Sequence, residues 1–118
     1  MKSLDLGDKF DTSNVTKMDE MFRWCGMEAM TSLDLGDKFH TSNVTSMRYM
    51  FQHCGSTAMT SLDISAMTFN SVTSYDDIFK YCGISSIKVY VNSVSKNFVV
   101  TNKYTSWSEN NIIVGSMP

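Results

Sequence analysis

Cys25, Cys54 and Cys82 lie 29 and 28 residues apart. At that spacing they occupy one position of a repeated unit and form a column. Zinc is disfavoured, because structural zinc sites draw on C-x-x-C pairs or clustered histidines and neither is present. A disulfide needs Cα atoms ~4.4–6.8 Å apart. The segments carrying these cysteines have helical spacing, and packed helices stand ~8–10 Å apart. An odd count also leaves one thiol over. The column therefore reads as a row of small buried apolar residues.

Asp5, Asp34 and Asp63 recur at a second fixed position, in the middle of three expected strands. They should point outward, ~4.8 Å apart, with Lys88 taking the place on a fourth strand. Stacked exposed carboxylates repel by about a kcal/mol or less per pair, so a solvated ladder is tolerable. The alternative is a cation or ligand site on the sheet, with Ser3, Ser32 and Ser61 adding oxygens toward the ~6 that calcium takes. His40 and His53 have no recurring Ser, Cys or Asp partner. A nucleophile, base and orienting group cannot be assembled from near-identical units without unique polar residues. No phosphate-binding Gly-rich loop occurs. The expectation is a chain that is not an enzyme and uses no cofactor or metal.

These residues are positioned by a repeat. Residues 3–31 read SLDLGDKFDTSNVTKMDEMFRWCGMEAMT and residues 32–60 read SLDLGDKFHTSNVTSMRYMFQHCGSTAMT, identical at 21 of 29 positions. Every apolar anchor but Met27 is kept. A third copy, 61–86, is shorter by one residue before Val72 and three after Cys82. A fourth, weaker turn aligns Ile87-Lys88-Val89 with Leu62-Asp63-Ile64, and Ile112-Ile113-Val114 with it in turn. A period of this length is the mark of stacked units, none of which can bury its apolar face alone.

Within each unit, Met30-x-x-Leu33-x-Leu35 and Met59-x-x-Leu62-x-Ile64 follow the L-x-x-L-x-L pattern, in which alternate strand residues face the core. Met1-x-x-Leu4-x-Leu6 fits the same pattern. Thr-Ser-Asn before Val15 and Val44 suits a helix N-cap. That explains both Asn-Val-Thr triplets without invoking glycosylation. Val15, Met18, Met21, Phe22 and Cys25 then recur at helical spacing. Gly26, Gly55 and Gly83 suit the left-handed end of such a helix. The predicted fold is α/β, a leucine-rich-repeat-like solenoid. It has a short parallel sheet on one side, short helices on the other, and a C-terminal cap. Residues 1–91 hold three repeats (3–31, 32–60, 61–86) and the fourth strand. Residues 92–118 form the cap, with a helix from Ser93 carrying Val94, Phe98 and Val99, and Trp107 closing the core.

Positions that differ between copies carry the information about binding. Lys17, Glu20 and Trp24 correspond to Ser46, Tyr49 and His53, and to Ser74, Asp77 and Tyr81. Trp24, His53 and Tyr81 make an aromatic column on the outer helical side. One reading packs these rings against the neighbouring unit. The sharper reading is a partner-binding stripe of Trp24, Arg48, Tyr49, His53 and Tyr81, since exposed aromatics and Arg are enriched at interfaces. A net charge of −2 offers no basic field for nucleic acid. No apolar run is long enough to cross a bilayer, and no leader precedes the repeats.

The string from Phe10 to Cys25, FDTSNVTKMDEMFRWC, and its near-copy from Phe39 to Cys54 resemble the repeat of BspA-like leucine-rich-repeat surface proteins. They also resemble the related Mycoplasma-type lipoprotein repeat family of unknown function. Sixteen consecutive positions fit, and the resemblance runs from Ser3 to about Val91. The third copy departs from it at 67–71 and at Tyr75. The resemblance implies a bacterial cell-surface or secreted, extracellular protein that binds host or other proteins in adhesion, with no catalytic residues to carry over. A structural spacer without its own ligand is the competing expectation. Met1 falls on a motif position, so the chain is expected to be the C-terminal piece of a longer array, with self-association through its uncapped first repeat.

Overall fold

The computed structural model describes residues 12–26 and 29–117, and the backbone of Ser3–Asp5. The Met1 and Leu6 positions of the first motif, and the side chain of Asp5, lie outside the described residues.

Three residues of Ser-Leu-Asp form each of the first strands: β1 (Ser3–Asp5), β2 (Ser32–Asp34) and β3 (Ser61–Asp63). β4 (Lys88–Val91) and β5 (Ile112–Val114) complete a five-stranded parallel sheet in the order β1-β2-β3-β4-β5. Such short strands are not stable singly. Each unit holds its neighbour in exact register, Leu33 on Leu62 and Asp34 on Asp63. The inward residues Leu33, Leu62, Val89 and Ile112 are all buried. Among the described residues, no helix is long and apolar enough to cross a membrane.

The fourth strand differs from the sequence alignment by two residues. Leu62 pairs with Val89, and Asp63 with Tyr90, while Lys88 lies beside Ser61. Val89 in turn pairs with Ile112. Ile87 is therefore not a strand anchor but the successor of Met30 and Met59. A Cβ on Gly26, Gly55 or Gly83 would meet Met30, Met59 or Ile87 respectively, each four residues on. The glycine-to-anchor spacing is thus preserved, and the shortening falls after Ile87 instead. Lys88 does not relieve the aspartate ladder.

The larger correction concerns the expected repeat helices. Residues 15–25, 44–54 and 72–82 form no helix; they run as consecutive β-turns. In the first unit Met21 N–H donates to Met18, Arg23 to Glu20 and Cys25 to Phe22, each three residues back. The third residues of the first and last of these three turns have left-handed backbone: Glu20 and Trp24 (φ 60° and 64°), Tyr49 and His53 (59° and 58°), Asp77 and Tyr81 (50° and 59°). A positive φ there is the type II geometry, and one such residue every four stops a helix. Four-residue turns put apolar residues inward at nearly the helical period, so the pattern alone could not separate the two. The choice is made by neighbours. Met18, Glu20, Phe22 and Trp24 N–H groups donate to Ser46, Arg48, Met50 and Gln52 carbonyls in the next unit, at 2.8–3.0 Å. An isolated helix of this length is marginal in water, whereas the turn stack gains hydrogen bonds along both the chain and the stack.

Thr-Ser-Asn accordingly caps no helix. The buried Thr12 and Thr41 hydroxyls donate to the carbonyls of His40 and Thr68 in the following units, at 2.6 and 2.5 Å. The Asn43 amide donates back to Ser13 O. These residues staple unit to unit.

Between sheet and turns lies one core, with Phe22, Phe51 and Phe79 stacked at 5.6 Å centroid spacing and 8° tilt. Trp107 closes this column, 5.4 Å from Phe79, and its Nε1–H donates to Cys82 O at 3.1 Å. The cap helix α1 spans Lys96–Asn102, starting after Ser95 rather than at Ser93. The Asn92 carboxamide and Ser95 hydroxyl bond to Met67 O, tying the entry of the helix to the third unit. Val99 is buried and Val94 is exposed.

Candidate functional site

The two left-handed positions of each unit are among those that vary between copies. A left-handed non-Gly residue costs roughly 1–3 kcal/mol and persists only where its surroundings hold it. At Trp24, His53 and Tyr81 the side chains leave the turn outward and stack on one another. Trp24 and His53 lie 4.0 Å apart and 4° from parallel, His53 and Tyr81 4.6 Å and 21°. Tyr104 from the cap continues the row, 5.2 Å from Tyr81. Trp24 is 51% exposed and Tyr81 41%, so the row stands as a ridge on the surface.

Cations flank the ridge. The Arg23 guanidinium lies 5.9 Å from the Trp24 ring and 5.3 Å from the Tyr49 ring. It also pairs with the Glu20 carboxylate. The Lys80 ammonium lies 5.4 Å from the Tyr81 ring. These are cation–π distances. Burial between the rings, then the charges of Arg23 and Lys80, lower the His53 pKa, so the ridge keeps a neutral imidazole at its centre.

Of the five stripe residues read from sequence, Trp24, His53 and Tyr81 come together, and Tyr49 joins them through Arg23. Arg48 does not. It faces Ser74 and Asp76, 3.5 and 3.7 Å away. Sequence reasoning missed Arg23, Lys80 and Tyr104. Arg23 and Lys80 share the variable column next to the aromatic one, which was signal enough. Tyr104 lies in the segment without repeat register and carried none.

The aspartates serve their own strands' exits. Asp34 Oδ1 accepts from Gly36 N–H and Asp63 Oδ1 from Ser65 N–H, both at 2.9 Å. Asp63, only 8% exposed, also accepts from Ser65 Oγ and, through Oδ2, from Met117 N–H at 2.9 Å. The recurrence of Asp is thus explained by a turn that uses it as an acceptor. Among the described residues no group of three or more His, Cys, Asp or Glu is arranged to hold a metal ion.

Cys25, Cys54 and Cys82 are free thiols. The expected helix separation does not apply, because the cysteines lie on stacked turns: Gly55 N–H donates to Cys25 O and Gly83 N–H to Cys54 O, both at 2.9 Å. Burial first, then Cys54, raises the Cys25 and Cys82 pKa values, which favours the protonated thiol at both.

A family described as "Mycoplasma protein of unknown function, DUF285" matches residues 3–93. No curated protein and no solved structure matches the chain.

Proposed function

The chain belongs to the DUF285 family of Mycoplasma proteins of unknown function, and on that footing we propose that it is a non-catalytic binding or adhesion module of a bacterial cell-surface or secreted repeat protein. Its stacked units are read as a leucine-rich-repeat-like solenoid in which turns replace the convex helices. Its partners are extracellular proteins.

One observation carries this reading. Positions that vary between otherwise near-identical units build a surface ridge, Trp24–His53–Tyr81, which Tyr104 of the cap extends and Arg23 and Lys80 edge. Aromatic rings beside cations are the composition of protein interface hot spots. The test is capture of matrix and serum proteins by the chain and by its Trp24→Ala/Tyr81→Ala double variant, with acrylamide quenching of tryptophan alongside. Trp107 is buried, so surface quenching reports Trp24. Partner capture should fall and partner should shield Trp24. Equal capture by both chains, with quenching unchanged by partner, would sink the reading.

A spacer function is favoured by a different feature. The ring faces of His53 are covered by Trp24 and Tyr81, so part of the ridge is committed to holding units together. A stability loss in the double variant, with no protein captured by either chain, would select that reading.

A further inference from the structure

The units pass hydrogen bonds down the stack by one rule. The N–H of every second turn residue donates to a carbonyl of the following unit. Met47, Tyr49, Phe51 and His53 donate to Ser74, Asp76, Ile78 and Lys80 at 2.8–3.0 Å, repeating the set made by Met18, Glu20, Phe22 and Trp24. The corresponding donors of the third unit are Tyr75, Asp77, Phe79 and Tyr81. Their N–H groups meet no acceptor among the described residues.

The cap continues the side-chain columns but not this backbone ladder. Phe98 packs edge-on against Tyr75 at 5.2 Å, Trp107 against Phe79, and Tyr104 against Tyr81. Between these contacts a cavity of about 390 Å³ remains, lined by Tyr75, Asp77, Phe79, Lys80, Asn102 and Tyr104 among others. That volume is at the low end of the ~300–1,000 Å³ typical of ligand pockets. It adjoins the third unit's segment that carries the Asp77 and Phe79 donors.

We propose that this groove is a docking site for a peptide segment of a partner protein, which adds one more rung to the turn stack. The occupant is specified by what the same edge pairs with in the two units above: carbonyl groups two residues apart on a polypeptide running parallel to it. Of the four donor residues only Phe79 is buried, and an accessible row of unpaired main-chain donors is a template for an added segment. Tyr75, Phe79 and Tyr104 offer an apolar wall, while Asp77, Lys80 and Asn102 edge the mouth. A peptide with one apolar side chain between polar neighbours suits that lining. The inference rests on the reading of the chain as a protein-binding module; it shares Lys80, Tyr81 and Tyr104 with the ridge but acts through main-chain donors of the third unit, so the response of the Asp77 and Phe79 amides and capture through Trp24 can fail separately.

The probe is an acetylated and amidated peptide of residues 74–81, the segment whose carbonyls already complete this ladder one unit up. It is titrated into the whole isotope-labelled chain. The amide resonances of Asp77 and Phe79 should shift and their hydrogen exchange should slow, with Met18 to Trp24 unaffected. Thr105→Trp, at an exposed position on the rim, should weaken peptide binding by roughly tenfold or more, the worth of about two ladder bonds. No response at Asp77 and Phe79 with millimolar peptide overturns the proposal. So does a response to inorganic phosphate with none to peptide, which would make the groove an anion site. The titration of the unaltered chain decides the matter even if the Thr105→Trp chain does not fold.

Discussion

Trp24 and His53, 29 residues apart in sequence, stack with ring centroids 4.0 Å apart and planes 4° from parallel. Both sit at the left-handed third position of a type II turn, and the Trp24 N–H reaches Gln52 O, one residue before its stacking partner. Ladder and stack therefore reinforce each other. Breaking either loosens the surface that the other presents.

The neutral state of His53 is tied to this stack. Its folded pKa is lowered, by burial first and then by Arg23 and Lys80. The unfolded chain, with a histidine near ~6.5, then takes up a proton that the folded chain refuses. Stability is therefore full above about pH 6.5. It declines as pH falls through that value, then levels off below the folded pKa. Denaturant melts at pH 7.5 and pH 5 should differ, and His53→Phe should shrink the difference. An unchanged difference would detach His53 from the pH response.

Turns rather than helices on the outer face make a spectroscopic prediction. The only α-helix among the described residues is α1, seven residues long. Far-UV circular dichroism should show a β- and turn-type spectrum with a weak helical band. A dominant helical band would restore the repeat helices that the spacing suggested.

Gly55 has φ +56°, and a Cβ there would stand 2.4 Å from the Met59 Cβ. Met59 is fully buried and cannot retreat without opening the core. Gly55→Ala should cost about 1–3 kcal/mol, from left-handed strain plus overpacking. Urea unfolding measures it, and a change within a few tenths of a kcal/mol would contradict the geometry.

Trp107 supplies both a lid and a hydrogen bond. Trp107→Phe should retain most of the packing and lose about 1 kcal/mol with the bond to Cys82 O. Trp107→Ala should cost about 3–5 kcal/mol, because the end of the phenylalanine column is opened. Equal losses in the two variants would show that the indole N–H, not the ring, secures the cap.

The sequence by itself determined the unit and its inward residues. Alternation in Ser-Leu-Asp-Leu placed Leu33 and Leu62 in the core, and recurrence at a fixed period implied parallel strands stacked in order. It also singled out Trp24, His53 and Tyr81, since a difference between near-identical copies stands out. Three matters were left to the tertiary structure. Apolar residues three and four apart fit a helix or a run of four-residue turns equally well. Hydrogen bonds to the neighbouring unit decide between them, and no single unit contains those bonds. The register of β4 hinged on the Gly83-to-Ile87 exit matching Gly55 to Met59, a packing fact hidden by the attractive Ile-x-Val triplet. The groove beside the cap arises because Phe98, Tyr104 and Trp107 take over the side-chain columns while the backbone ladder stops at Tyr75 to Tyr81. Side-chain chemistry can be read along a sequence, but the pairing of main-chain donors depends on which segment is brought alongside.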